Sequence, residues 1–127
     1  MRLIYLSIFF ILVVLCYYML TSKKYIIKKS KINGVGIFAN KNIKKNELID
    51  LAFILYINEN NLKDGDITLF GSKINHCSIN DNSYLKNINN KYYIYAKRNI
   101  NKGEEITSNY NNTPEIIEKP DKSYKKC

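Results

Sequence analysis

Twelve residues in the first half of the chain, FANKNIKKNELI at 38–49, are written again with small changes as YAKRNINKGEEI at 95–106. Both copies carry an aromatic residue, Ala, Ile, Glu and Ile at the same offsets, around an Asn/Lys/Gly-rich centre that tolerates positive φ. Each reads as the end of one strand, a tight turn and the start of the next. Two such units in a chain of 127 residues predict two equivalent β-turn-β corners packed about a pseudo-twofold axis. The first Ile of each copy, Ile43 and Ile100, is expected to bury beneath its turn. Glu47 and Glu105 are expected at matching places, each accepting backbone N–H groups from its turn.

The stretches around the repeat fit a mainly β fold. YIIKK, GIFA, ELIDLAFILYI, YYIYA and EEITSNY are short and rich in Ile, Tyr and Phe, as strands are. NGVG, NKN, LKDGD, NDNS, NINN and NKGE carry turn chemistry. A helix over 46–57 would need 3.6-residue spacing, which NELIDLAFILYI lacks. The tail TPEIIEKPDKSYKKC holds both prolines and reads as irregular with one short helical turn.

The N-terminal stretch is different. Residues 3–20 carry no charge, and Ser7 is their single strongly polar side chain. As a helix they would reach roughly 27 Å, close to the hydrocarbon thickness of a bilayer. The expectation is a transmembrane anchor over 1–21, a basic juxtamembrane linker over 22–31, a β domain over 26–112 and a tail over 113–127. A cleaved signal peptide, though no Ala-x-Ala precedes the lysines, and a buried core helix are the alternatives. Lys23, Lys24, Lys28, Lys29 and Lys31 follow the apolar stretch, so the positive-inside tendency places the domain on the cytoplasmic side.

Twenty basic residues against eleven acidic give a net charge of +9. Much of the excess lies at 22–31, where it suits anionic lipid; without an Arg-rich run or basic helix, direct nucleic-acid binding is not expected. Cys16, Cys77 and Cys127 do not form a disulfide framework. One histidine, His76, and its neighbour Cys77 fall short of a metal site. As adjacent strand residues they also face opposite ways, which argues against a nucleophile pair.

Three further segments stand out: INGVGIFA with Gly34 and Gly36, INHCSINDN with Asn75 and His76, and EEITSNY ending in Tyr110. Singly each reads as packing or turn structure. In this order, with YAKRNI preceding the last, they resemble the SET-domain family of protein lysine methyltransferases over roughly residues 26–112. The likeness is to minimal members of large DNA viruses and bacteria. It implies a β-clip-like fold with the segment near 74–78 and the last strand threaded in a pseudoknot-like crossing.

It also implies S-adenosylmethionine as cofactor, held by Gly34, Val35, Gly36, Asn75 and His76. Tyr110 would be catalytic, and a lysine side chain of a protein, such as a histone or a protein near the membrane, the substrate. Phe53, Tyr56, Tyr93 and Tyr95 are candidates for the wall of the lysine channel; no metal is expected. The usual N-H-S-C-x-P-N reads NHCSIND here, with Asn82 available as the final Asn, and Asn109 replaces the usual Asp before the tyrosine. Two rival readings are a non-catalytic SET-fold binding module at a membrane and a SAF-type β-clip domain; the latter needs neither I-N-H nor Tyr110. Homodimerisation is left open.

Overall fold

The computed structural model describes residues 2–58, 63–114, 119–124 and 126–127. Helix α1 (Arg2–Thr21) precedes eight strands: β1 (Tyr25–Lys29), β2 (Val35–Ala39), β3 (Leu48–Ile57), β4 (Lys63–Ile67), β5 (Asn75–His76), β6 (Ser83–Ile88), β7 (Lys91–Ala96) and β8 (Glu105–Ser108). Their order is β1-β2-β8-β6-β7-β3-β4, with β5 paired to β8 off that path. Most neighbours run antiparallel, but β5 and β6 both lie parallel to β8, through Asn75↔Thr107, His76↔Ser108 and Ser83↔Ser108. Two segments distant in sequence are thereby brought to one strand.

The repeat forms the centre of the domain. Ile43 and Ile100 exchange both backbone hydrogen bonds, at 2.8 and 2.9 Å, and each is 1 % exposed. The bonds that close the two turns correspond pair by pair. Asn46 N donates to Ala96 O and Gly103 N to Ala39 O, both at 2.8 Å. Asn46 and Gly103 hold positive φ, 64° and 91°, at matching positions. Lys45 N donates to Asn99 Oδ1 and Lys102 N to Asn42 Oδ1, at 2.9 and 2.8 Å. Each copy therefore caps the turn of the other.

The carboxylates obey the same symmetry, with one correction. Glu47 Oε2 accepts from Lys44 N at 3.0 Å, and its equivalent is Glu104, whose Oε1 accepts from Asn101 N at 2.8 Å. Glu105 stands one residue later, where the first copy has Leu48, and its side chain turns to the opposite side of the strand. Burial raises the pKa of both Glu47 and Glu104, but hydrogen bonds and nearby cations outweigh it and hold both below the ordinary value. Lys24 pairs with Glu47 and Arg98 with Glu104, each at 2.8 Å.

The structure departs from expectation in three elements. LKDGD reads as a turn but supplies most of β4, paired with β3 from Phe53↔Ile67 to Ile57↔Lys63. Gly65 is required there by close approach, since a Cβ would lie 2.2 Å from Phe53 Cζ; the glycine makes room for a ring, not for a bend. The segment 22–31 is not a free linker, because Tyr25–Lys29 is a sheet strand paired with β2. Two of its lysines have partners inside the domain: Lys24 holds Glu47 and Lys28 Nζ lies 4.2 Å from the centre of the Phe38 ring.

The third departure is the membrane anchor. Among the described residues no helix is long and apolar enough to cross a membrane. The spanning segment over 3–20, and the cytoplasmic orientation drawn from it, are accordingly not supported.

Candidate functional site

Two cavities open side by side where β5 and the turn after β8 come together. The larger, about 550 Å³, is lined by Gly34 and Val35, by the turn Ser72–Lys73, by Ile74, Asn75 and His76, and by Tyr110 and Tyr124 among others. The smaller, about 160 Å³, has a mostly apolar wall that includes Ala52, Phe53, Ile67, Leu85 and Ile94. Ser72, Ile74, Tyr110 and Tyr124 line both. The larger volume lies within the range of small-molecule sites.

Asn75 acts as the mortar of the larger cavity. Its amide nitrogen donates to Asn33 O at 3.2 Å, Val35 O at 3.3 Å and Glu105 Oε1 at 2.7 Å. Glu105 also accepts from Ser30 Oγ, at 2.7 and 2.9 Å. One carboxylate thus ties the start of the glycine turn to β5 through Asn75. Gly34, at φ 46°, sits at the tip of that turn, where an added Cβ would meet nothing within 4 Å.

Gly36 does not line the cavity. A Cβ there would stand 2.2 Å from Glu105 Oε1 and 3.0 Å from Asn75 Nδ2. This glycine serves the support of the site rather than its surface. Gly36→Ala should displace the carboxylate from partners it holds while half-buried. We expect a stability loss of about 2 kcal/mol, since buried charged groups lose 1–3 kcal/mol when their bonds are disturbed; urea unfolding measures it.

His76 and Tyr110 are joined through the backbone. Tyr110 N donates to His76 Nδ1 at 3.1 Å, so the neutral ring carries its proton on Nε2. The rings of His76 and Tyr110 stand 5.1 Å apart, and Tyr124 packs at 6.2 Å from the first and 6.4 Å from the second. Burial lowers the His76 pKa, with the Asp81 charge opposing. The depressed value means that the unfolded chain takes up a proton first. Stability is therefore full above the unfolded value, about 6.5, and falls as pH drops through it towards the folded pKa. Thermal melts between pH 7 and 5 should show this fall, and His76→Gln should flatten it.

Tyr110 Oη donates a hydrogen bond to Ile74 O. Burial, and then the neighbouring Tyr124, raise its pKa, so the phenol stays neutral. With its proton committed to a carbonyl, the oxygen presents lone pairs at the junction of the two cavities.

Of the four aromatic residues expected along the channel, only Phe53 lines the smaller cavity. The reason is strand parity. On β7 the buried residues are Ile94, which lines the cavity, and Ala96, which turns Tyr93 and Tyr95 to the other face; Tyr95 stacks on Tyr84 there, at 5.9 Å. Tyr56 is exposed and donates to Asp66 Oδ2 at 3.1 Å. Asn82 bridges the gap between β6 and β8, accepting from Thr107 N at 2.9 Å and donating to Glu105 O at 2.7 Å. Asn109 caps the turn Tyr110–Asn112, accepting from Asn111 N. Among the described residues no group of three or more metal-ligating side chains gathers.

Sequence reasoning missed Lys73, Ser72 and the tail residues Ser123 and Tyr124. The tail reaches the cavities because its end is anchored beside β5: Ile79 N donates to Lys126 O at 3.2 Å, and Asn80 Nδ2 to Cys127 O at 2.9 Å.

Comparison with known proteins agrees with this geometry. The family model described as SET domain matches residues 50–111. The crystal structure of a candidate histone methyltransferase of Plasmodium falciparum is 31% identical, with a TM-score of 0.55, over 70% of this chain and 94% of that one. This chain belongs to the SET-domain family. A candidate SET domain-containing protein of Acanthamoeba polyphaga mimivirus is 33% identical over 85 residues, 66% of this chain and 33% of that protein. The chain therefore spans about a third of the length of the curated relative it matches. The fold is also that of a Polycomb Repressive Complex 2 chain from Chaetomium thermophilum solved with S-adenosylmethionine bound, at a TM-score of 0.59 and 21% identity, over 76% of this chain and 16% of that one.

Proposed function

We propose that the chain is an S-adenosylmethionine-dependent protein-lysine N-methyltransferase. The observation that carries this reading is that Tyr110 lines both cavities at once. One cavity is large and polar enough for a nucleoside with an amino-acid arm; the other is narrow and apolar, as a lysine side chain requires. Gly34, Val35, Asn75 and His76 would shape the first and Phe53, Leu85 and Ile94 the second. Gly36 would act through Glu105 and Asn75.

When bound, S-adenosylmethionine supplies a methyl group on a positively charged sulfur. Transfer needs a neutral amine approaching in line, so much of the rate comes from alignment. The apolar wall of Ala52, Phe53, Ile67, Leu85 and Ile94 disfavours an ammonium ion and so lowers the lysine pKa. Tyr110 Oη, whose O–H donates a hydrogen bond to Ile74 O, can accept a hydrogen bond from the amine and turn the amine's lone pair towards the larger cavity. Tyr124 lines both cavities beside it.

The test is incubation of the full chain with S-adenosylmethionine carrying a labelled methyl group and a panel of lysine-bearing proteins, histones among them. Labelled methyl-lysine in one of them is the expected result. Cofactor binding without transfer to any protein would instead favour a non-catalytic binding module.

A further inference from the structure

Two of the three cysteines meet beside the larger cavity. Cys77 follows β5 and is buried, whereas Cys127 is exposed, and both are thiols. Each sulfur donates to the carbonyl just before the other cysteine: Cys77 Sγ to Lys126 O at 3.6 Å, and Cys127 Sγ to His76 O at 3.3 Å. The crossing is reciprocal, so each side chain lies against the other's main chain. Two more hydrogen bonds hold the same segments together, Ile79 N to Lys126 O at 3.2 Å and Asn80 Nδ2 to Cys127 O at 2.9 Å. A disulfide needs Cβ atoms about 3.5–4.5 Å apart. The crossed arrangement puts the pair within reach of that through side-chain rotation and a small movement of the tail.

We propose that Cys77 and Cys127 are the site of a reversible disulfide that latches the tail against the larger cavity. The oxidant is a low-molecular-weight disulfide such as oxidised glutathione. Reactivity follows access, so the exposed Cys127 thiolate attacks first; a mixed disulfide forms and one glutathione thiolate leaves. The Cys77 thiolate then attacks the Cys127 sulfur, the protein disulfide forms, and the second glutathione thiolate leaves. Each cysteine loses one electron and one proton, and the oxidant is reduced to two thiols. The bond ties the residue after His76 to a point three residues beyond Tyr124. His76 and Tyr124 both line the larger cavity, with their rings 6.2 Å apart, so the link fastens two parts of its wall.

The experiment uses the full chain with Cys16→Ser, which removes the exposed thiol of α1. It is incubated with oxidised glutathione and read by intact mass and peptide mapping. The expected product is a monomer that has lost two hydrogens and carries a Cys77–Cys127 cross-link. With Cys77→Ser added, the reaction should stop at one glutathione on Cys127. With Cys127→Ser added, no glutathione should be taken up, because the remaining thiol is buried. The cross-link should withstand about 10-fold more reduced glutathione in native buffer than in urea, since a bond that the fold accommodates is stabilised by it. The effect on the ligand rests on the transferase reading: S-adenosylmethionine should leave the oxidised chain about 10-fold more slowly than the reduced one, as when a segment that gates release is held.

A cross-link that forms only in urea, a glutathione that stays on Cys127 while Cys77 is present, or dimers linked through Cys127 would overturn the site. An unchanged release rate from the oxidised chain would overturn the latch. Failure of the reduced chain to bind S-adenosylmethionine would overturn the transferase reading, whereas the disulfide is decided by mass alone.

Discussion

Tyr110→Phe should lower kcat for methyl transfer by about 100-fold while leaving the affinity for S-adenosylmethionine within about threefold of wild type. Removing one preorganised polar group at a reacting centre costs 10²–10³ in rate, and the Tyr110 phenol is hydrogen-bonded to Ile74 O at the point where the cavities meet. The rings of His76 and Tyr124 pack against its ring, not against its hydroxyl alone. Phe keeps that packing and loses the oxygen. The split between kcat and cofactor affinity separates a chemical role from a structural one. A variant that loses cofactor binding and rate together would make Tyr110 a packing residue.

The second large effect concerns the fold. Ile43→Ala and Ile100→Ala should each destabilise the domain by about 3 kcal/mol, the usual range for a fully buried Ile being 2–5. The two losses should agree within about 1 kcal/mol, because the residues occupy symmetric positions, each 1 % exposed and each bonded to the other's backbone. A small domain has only 5–15 kcal/mol in total. The double variant should consequently lie at the edge of folding. Urea unfolding of the three variants is the check, and a clear inequality between the single variants would show that the corners are not energetically equivalent.

The repeat made this central feature legible before any coordinates, because its spacing forces two turns of one kind. Its offsets also carried the right acid, Glu104, yet the expectation settled on Glu105. Only the hydrogen bonds separate the two: Glu104 closes its own turn, whereas Glu105 reaches across to Ser30 and Asn75. β4 was illegible for a different reason. Asp64, Gly65 and Asp66 have poor strand propensity, and it is the ladder with β3 that makes them extended, a tertiary effect that local composition does not carry.

Within the site, Gly34, Val35, Asn75, His76 and Tyr110 were found from motifs and do lie around one cavity. The aromatic channel wall was not, because a tyrosine count is blind to strand parity. Ile94 rather than Tyr93 or Tyr95 faces inward, and Ala52, Ile67, Ile74 and Leu85 line the smaller cavity with it. Lys73 was hidden by abundance in a chain with 20 basic residues; what sets it apart is its position in the cavity lining, not its type. Tyr124 lay in a tail that reads as irregular, and its role depends on the backbone bonds that Lys126 and Cys127 make beside β5.

The central claim is that the two cavities are separate seats for the two reactants, joined at Tyr110. Amide-resolved NMR of the full chain during titration with S-adenosylmethionine tests it most directly. The account predicts shifts confined to 32–35, 72–76, 110 and 123–124, with Leu85 and Ile94 of the smaller cavity unmoved. Shifts centred on the smaller cavity, or none at saturating cofactor, would contradict it.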